Sequence, residues 1–266
     1  YFEQHNNSCN MNNDVVSGHM RVVGNCENAL TELFSGTPPQ VVILAGEKIS
    51  NPLVGRLGAS IKGEIDLPLD SHRPGGSNDT SKAVLGDLEG VNVAIIQGRI
   101  HDNEGGDHLS SVVIPRAAAL AAKDAIFLIL NASTGLTPGY VSVGQVAIIG
   151  DHICSLAGIS PLKGESVFLE RFGSCHVTTS YDRDLRQLAG EALSRTRRSG
   201  ENFNADAVYL MAPGPQLPTL AELKFYSSSC GADLVGTPLP EVLALNQMGR
   251  RVLALSMVVD GVLTEL

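Results

Sequence analysis

A chain of 266 residues with 43% hydrophobic content can bury one substantial core, and an α/β fold of this length is commonly a single domain. Charged residues make up 18% and the net charge is −9, an acidic balance that argues against nucleic acid or an anionic membrane as the main partner. No apolar stretch approaches the length of a transmembrane helix, and with no Trp and 5% aromatic residues the core must be built from Val, Leu, Ile and Ala.

In chain order, residues 1–24 read as a polar tail opening on YFEQHNNSCNMNND, and 25–266 as one domain. A short helical pattern covers 25–34. Nearly continuous apolar runs then predict strands over 41–45, 91–97, 125–130, 145–149, 207–212 and 252–259, the pattern of strands covered on both faces. Between them, helical patterns span 110–123, 183–198, 219–229 and 240–249, with Pro240 suited to a first helical turn. The alternation predicts an α/β fold: a central mixed, distorted sheet flanked by helices. Residues 66–81, rich in Pro, Gly, Asp and Asn, read as a long surface loop.

The five cysteines (Cys9, Cys26, Cys154, Cys175 and Cys230) form no CxxC pair and no zinc spacing. They fit two disulfides, such as Cys9–Cys26 and Cys154–Cys175, with one free thiol, or five reduced thiols packed as small hydrophobes. The start at Tyr1 and the sequons at Asn6, Asn78 and Asn131 point to an extracellular or secreted protein, with a cytoplasmic one as the alternative. The basic residues Arg195, Arg197 and Arg198 end a predicted helix, where cations complement the dipole, and read as a solvated face.

Ligands of open α/β sheets bind beyond the carboxyl ends of strands. The segments there are Gly46-Glu47-Lys48, Gly98-Arg99-Ile100-His101, Asn131-Ala132-Ser133-Thr134-Gly135, Asp151-His152, Pro213-Gly214-Pro215 and Asp260-Gly261. They hold no Ser-His-Asp set and no P-loop.

Several segments together, in order and in register, resemble the trimeric class of purine nucleoside phosphorylases. They are QGRIH at 97–101 with EGG from 104, NASTGLTPG at 131–139, VGQVAIIGDHI at 143–153, SPLKG at 160–164, ERF at 170–172, YDRDLRQLA at 181–189, MAPGPQLPTLAEL at 211–223 and GADLVGTPLPEV at 231–242. The resemblance implies the nucleoside phosphorylase fold, a homotrimer, a small-molecule ligand and neither cofactor nor metal. The family cleaves the N-glycosidic bond of purine nucleosides with phosphate, by electrostatic stabilisation of the phosphate and of the departing base.

Carried over residue by residue, the resemblance places Arg99 and His101 at two phosphate contacts and Asn131-Ala132 at the start of the base-side loop, where Ser133 and Thr134 replace small residues. Glu47 stands where the family has a phosphate-binding Ser, and Asp79 where it has a second His. Leu217-Pro218 replaces the Phe-Glu that grips the purine. A further phosphate-binding Ser falls in a one-residue deletion around Gly236-Thr237-Pro238. Asp260 replaces the Asn at purine N7, and Asn103 a Tyr.

For Arg99 and His101 two readings stand side by side: anion binding, or internal pairing such as Arg99 with Glu47. Asp260 could protonate and donate to a purine, or serve as an ordinary strand-end turn residue. His152 reads as a structural, hydrogen-bonded histidine near a subunit contact. The losses predict a catalytically inactive family member kept for ligand binding, assembly or storage. The alternative is an active phosphorylase or hydrolase of altered specificity using Arg99, His101 and Asp260.

Overall fold

Val-, Ile- and Leu-rich runs lie side by side in one mixed sheet, seen in a computed structural model that describes residues 2–69, 81–98, 100, 109–137, 142–154, 160, 162, 166–173, 179–196, 204–212, 214 and 216–261. The strands are β1 (Val41–Ala45), β2 (Ile61–Asp66), β3 (Lys82–Leu88), β4 (Val91–Gln97), β5 (Ile126–Gly135), β6 (Val146–Cys154), β7 (Asn204–Met211), β8 (Leu234–Gly236) and β9 (Val252–Gly261). Their order is β2-β3-β4-β1-β5-β8-β7-β6-β9. β1 is parallel to β4 and β5, while β2–β3, β3–β4, β5–β8 and β6–β9 are antiparallel. β9 also runs parallel to β5, so β5, β8, β7, β6 and β9 close into a ring.

Helices cover both faces. On one, α1 (Phe2–Leu33), α3 (Val113–Ala121) and α7 (Pro240–Gln247) share a core with Phe127, Ile129, Ile149, Tyr209 and Ala254 of the ring. On the other, α2 (Glu47–Leu57) lays Leu53, Val54 and Leu57 over Ile43, Val84 and Ile95. α4 (Ser166–Phe172), α5 (Arg183–Thr196) and α6 (Leu220–Ser228) complete the set. Thr219 starts α6 with a capping box: its hydroxyl accepts from the Glu222 N–H while Glu222 reaches back, satisfying two otherwise orphaned donors.

The segment expected as a polar tail is helical: residues 2–33 form one helix that runs through residue 24. His19, Val22, Val23, Cys26 and Leu30 are buried at offsets of 0, 3, 4, 7 and 11, one face of an α-helix. Burying each of the large apolar ones contributes about 1.5–3 kcal/mol, which outweighs the modest helix propensity of Asn and Ser.

The proposed disulfides are also corrected. Cys26 and Cys154 form no disulfide among the described residues. Cys26 is buried and donates to the Pro68 carbonyl at 3.7 Å, so it behaves as a small hydrophobe, whereas Cys154 is exposed. No helix among the described residues is long and apolar enough to cross a membrane.

One charge lies at the heart of the helical layer. Arg116 of α3 is fully buried. Its guanidinium meets His19 Nε2 of α1 at 3.0 Å, donates to Gln247 Oε1 of α7 at 3.2 Å and lies 4.1 Å from the Phe168 ring centroid of α4. A guanidinium can only donate, so Nε2 of His19 is the acceptor.

Candidate functional site

The carboxyl ends of β1, β4, β5 and β9 bring the predicted residues to one end of the sheet. β1 leads through Gly46, extended at φ −65° and ψ 155°, into α2, whose first residue is Glu47. Glu47 is exposed and complements the helix dipole; it makes no ion pair among the described residues. Arg99, His101, Asn103 and Asp79 lie outside the described residues, and so does the Arg99–Glu47 pairing. The flanks of Arg99 are described: Gly98 has φ +81°, a left-handed conformation that favours glycine, and Ile100 is buried.

Asn131, Ala132 and Ser133 were expected in a loop and instead continue β5. The β5–β9 ladder runs on past the apolar segment, pairing Asn131 with Ser256 and Ser133 with Val258. Asn131 is 4% exposed, Ser133 is equally buried, and Ala132 faces outward. The register slips between Ser133 and Thr134, so that Thr134 pairs with Asp260 and Val259 is the extra residue. Bulges of this kind re-aim side chains at sheet ends.

Two hydrogen-bond groups tie the strand ends together. Asn131 Nδ2 donates to the Tyr209 hydroxyl at 2.9 Å, and that hydroxyl donates to the Thr237 carbonyl at 2.8 Å. Ser256 Oγ donates to Ser133 Oγ at 2.7 Å. The shortened Gly236–Thr237–Pro238 segment is thus pinned to β5 through a buried tyrosine. A Cβ on Gly236 would stand 2.3 Å from the Tyr209 oxygen. Gly236→Ala is therefore expected to destabilise the fold by about 1–3 kcal/mol through overpacking, read as a lower denaturant midpoint at unchanged slope.

Asp260 is exposed, and its Oδ1 accepts the Gly261 N–H at 2.8 Å. That is local turn chemistry. Leu217, beside Pro218, is 88% exposed. The structure brings Asn131, Ala132, Ser133 and Asp260 together; Glu47 lies at the β1 end and Leu217 at the approach to α6.

Tyr209, Ser256 and Glu241 escaped the sequence reading. Glu241 is buried in the first turn of α7 and lines a cavity of about 10 Å³ with Leu44, Ile96, Gly98, Ile100 and Ser111. Tyr209 sits in an apolar run, and its only signal is a phenol on an otherwise aliphatic strand.

His152 bears out its reading as a hydrogen-bonded histidine: its Nδ1 lies 3.0 Å from the Tyr181 hydroxyl. Burial pushes the Tyr181 phenol well above its usual range, so the phenol keeps its proton and donates. Burial also lowers the His152 pKa, against a smaller upward pull from Asp151. The unfolded chain therefore binds more protons just below pH 6.5, and stability rises with pH there. The contribution is complete above the unfolded value and is lost as pH falls through the folded one. A thermal midpoint lower at pH 5.5 than at 7.5, with a smaller difference in His152→Gln, is the expected result.

The fold is the one seen in solved purine nucleoside phosphorylases, which places the chain in the nucleoside phosphorylase class. The phosphorylase superfamily model matches residues 53–265. Purine nucleoside phosphorylase of Bos taurus is 31% identical over 236 residues, covering 85% of this chain and 78% of that protein. Purine nucleoside phosphorylase 1 of Bacillus subtilis is 35% identical over 179 residues, covering 65% and 61%. The crystal structure of the Schistosoma mansoni purine nucleoside phosphorylase in complex with inosine aligns with a TM-score of 0.76 at 26% identity, covering 92% of this chain and 85% of that one. This chain belongs to the purine nucleoside phosphorylase family.

Proposed function

We propose that this family member binds a purine nucleoside or base and does not cleave it by phosphorolysis. The observation that carries the reading is the segment before α6. Pro218 has no carboxylate to offer a purine, and its neighbour Leu217 is 88% exposed. Asp260 supports it, since its carboxylate already accepts the N–H of its own turn. The ligand class comes from relatives such as the Schistosoma enzyme, solved with inosine and with hypoxanthine. Incubation with inosine, guanosine or adenosine, with and without phosphate, tests the reading by the release of free base.

A second reading is an active phosphorylase or hydrolase of altered specificity using Arg99, His101 and Asp260. The 31% identity to the bovine enzyme across most of the chain favours it. Base released only with phosphate would establish the phosphorylase, and base released without phosphate the hydrolase.

The assembly proposed with the first reading is a homotrimer. Exposed Leu217, Leu220 and Phe225 around α6 give an apolar surface compatible with subunit packing. Light scattering is expected to give a mass near three times 28.0 kDa, and a monomer would remove this part of the proposal.

A further inference from the structure

We propose that the cleft at the amino ends of β1, β5 and β9 is a second small-molecule site, one that takes a zwitterion: an ammonium and a carboxylate on an apolar body, as in a free amino acid or a short peptide. The cleft has a volume of about 800 Å³ and lies where α1 and the end of α3 meet the segments entering those strands. The three strands are parallel, and Glu47, Asn131 and Asp260 lie toward their carboxyl ends. The cleft is therefore at the opposite end of the sheet from the site described above.

Hydrogen bonds hold its walls in place. Asn92, 7% exposed, donates from Nδ2 to the carbonyls of Thr37 and Pro38 at 2.8 and 2.7 Å, and its own carbonyl accepts the Gln40 N–H at 2.8 Å. One buried amide thus clamps the segment that enters β1. On the other side, Arg250 Nη1 donates to the Lys123 carbonyl at 2.6 Å, which fixes the turn between α3 and β5. Pro39, Leu120 and Ala122 are buried beneath the cleft and Ile126 is half-buried. A preformed concavity with an apolar floor and a few charged groups is the usual form of a small-molecule site.

The charges select the ligand. Glu27, Lys123, Asp124 and Arg251 line the cleft. Asp124 acts on the neighbouring Arg250. Arg251 donates from Nε and Nη2 to Asp182 at 2.6 and 3.1 Å, which sets the plane of the guanidinium and leaves its Nη1 donors for a further acceptor. Glu27 and Lys123 form no ion pair among the described residues. They are of opposite sign and stand on different walls, Glu27 on α1 and Lys123 on the turn after α3. A purely anionic ligand would meet the carboxylates of Glu27 and Asp124, and a purely cationic one Lys123 and Arg251. A zwitterion matches both signs at once: its ammonium faces Glu27, with the Thr31 hydroxyl one helical turn further on, and its carboxylate faces Lys123 and Arg251.

Calorimetric titration with leucine, leucyl-leucine, N-acetyl-leucine and leucinamide tests the assignment. Wild-type protein is expected to bind a zwitterion and to bind each blocked form about fivefold or more weakly, the loss of one charge contact in a half-open cleft. Binding of leucine identifies an amino-acid site, and binding of leucyl-leucine alone a peptide site. Glu27→Gln is expected to abolish the preference over N-acetyl-leucine, and Lys123→Gln the preference over leucinamide. Both side chains reach solvent, so both variants are expected to melt like the wild type. Hypoxanthine in the cell is expected to leave the titration unchanged, because it does not compete for this end of the sheet. No heat with either zwitterion at millimolar concentration, equal binding of the blocked forms, wild-type preferences in both variants, or displacement by hypoxanthine would each overturn the assignment.

Discussion

Wild-type protein held with inosine and millimolar phosphate is expected to release no hypoxanthine above the uncatalysed background, and to give no heat on titration with phosphate alone. Three polar groups implied by the family resemblance are missing: a hydroxyl at Glu47, a carboxylate at Pro218 and a hydroxyl in the shortened segment at Thr237. Losing one preorganised transition-state contact typically costs about 10²–10³ in rate, so three independent losses reach roughly 10⁶ or more. Glu47→Ser is expected to recover weak anion binding through Arg99 and His101. The recovery is small because Glu47 is exposed and solvent screens its repulsion. It is not expected to restore turnover, because Pro218 still offers nothing to the departing base. Phosphate-dependent release of hypoxanthine by the wild type would overturn the reading. No anion binding by Glu47→Ser would mean that another group fills the site.

Arg116→Met should be the most destabilising single change. It leaves the acceptors His19 Nε2 and Gln247 Oε1 without their donor inside the helical layer, at about 1–3 kcal/mol for each buried orphan. It also removes the cation from the face of Phe168. Together these give about 3–5 kcal/mol. For a chain of this size that lowers the thermal midpoint by roughly 6–20 °C. Gln247→Ala, which strands only one contact, should cost about a third as much. Equal midpoints for Arg116→Met and wild type would show that the methionine repacks the site at no cost.

Most of the sheet was legible because its strands are buried on both faces. Val41–Ala45 and Val91–Gln97 fall on the apolar runs that announce them. β5 and β9 run past their apolar stretches, to Gly135 and Gly261. The ladder between them is a backbone matter, indifferent to the polarity of Asn131 or Asp260. β2 escaped notice because IKGEID has one covered face and reads as a polar loop, and β8 is three residues long.

The site was legible in part. Residue type and strand-end position mark Asn131, Ser133 and Asp260. The roles of Tyr209 and Ser256 depend on which strands become neighbours, 78 and 123 residues away from their partners in the chain. Arg116 did carry a signal, as a lone cation within VIPRAAALA. Helical spacing alone does not say that its face turns inward.

Because β9 closes back on β5, the sheet has one free edge among the described residues, and that edge is β2. Lys62, Glu64 and Asp66 are exposed along it, with Lys82 of β3 bonded to Glu64 at 3.3 Å. Charges along an open edge discourage strands of other copies from adding to it. Contacts between copies are thereby steered to side-chain surfaces, and concentrated protein is guarded against runaway sheet extension.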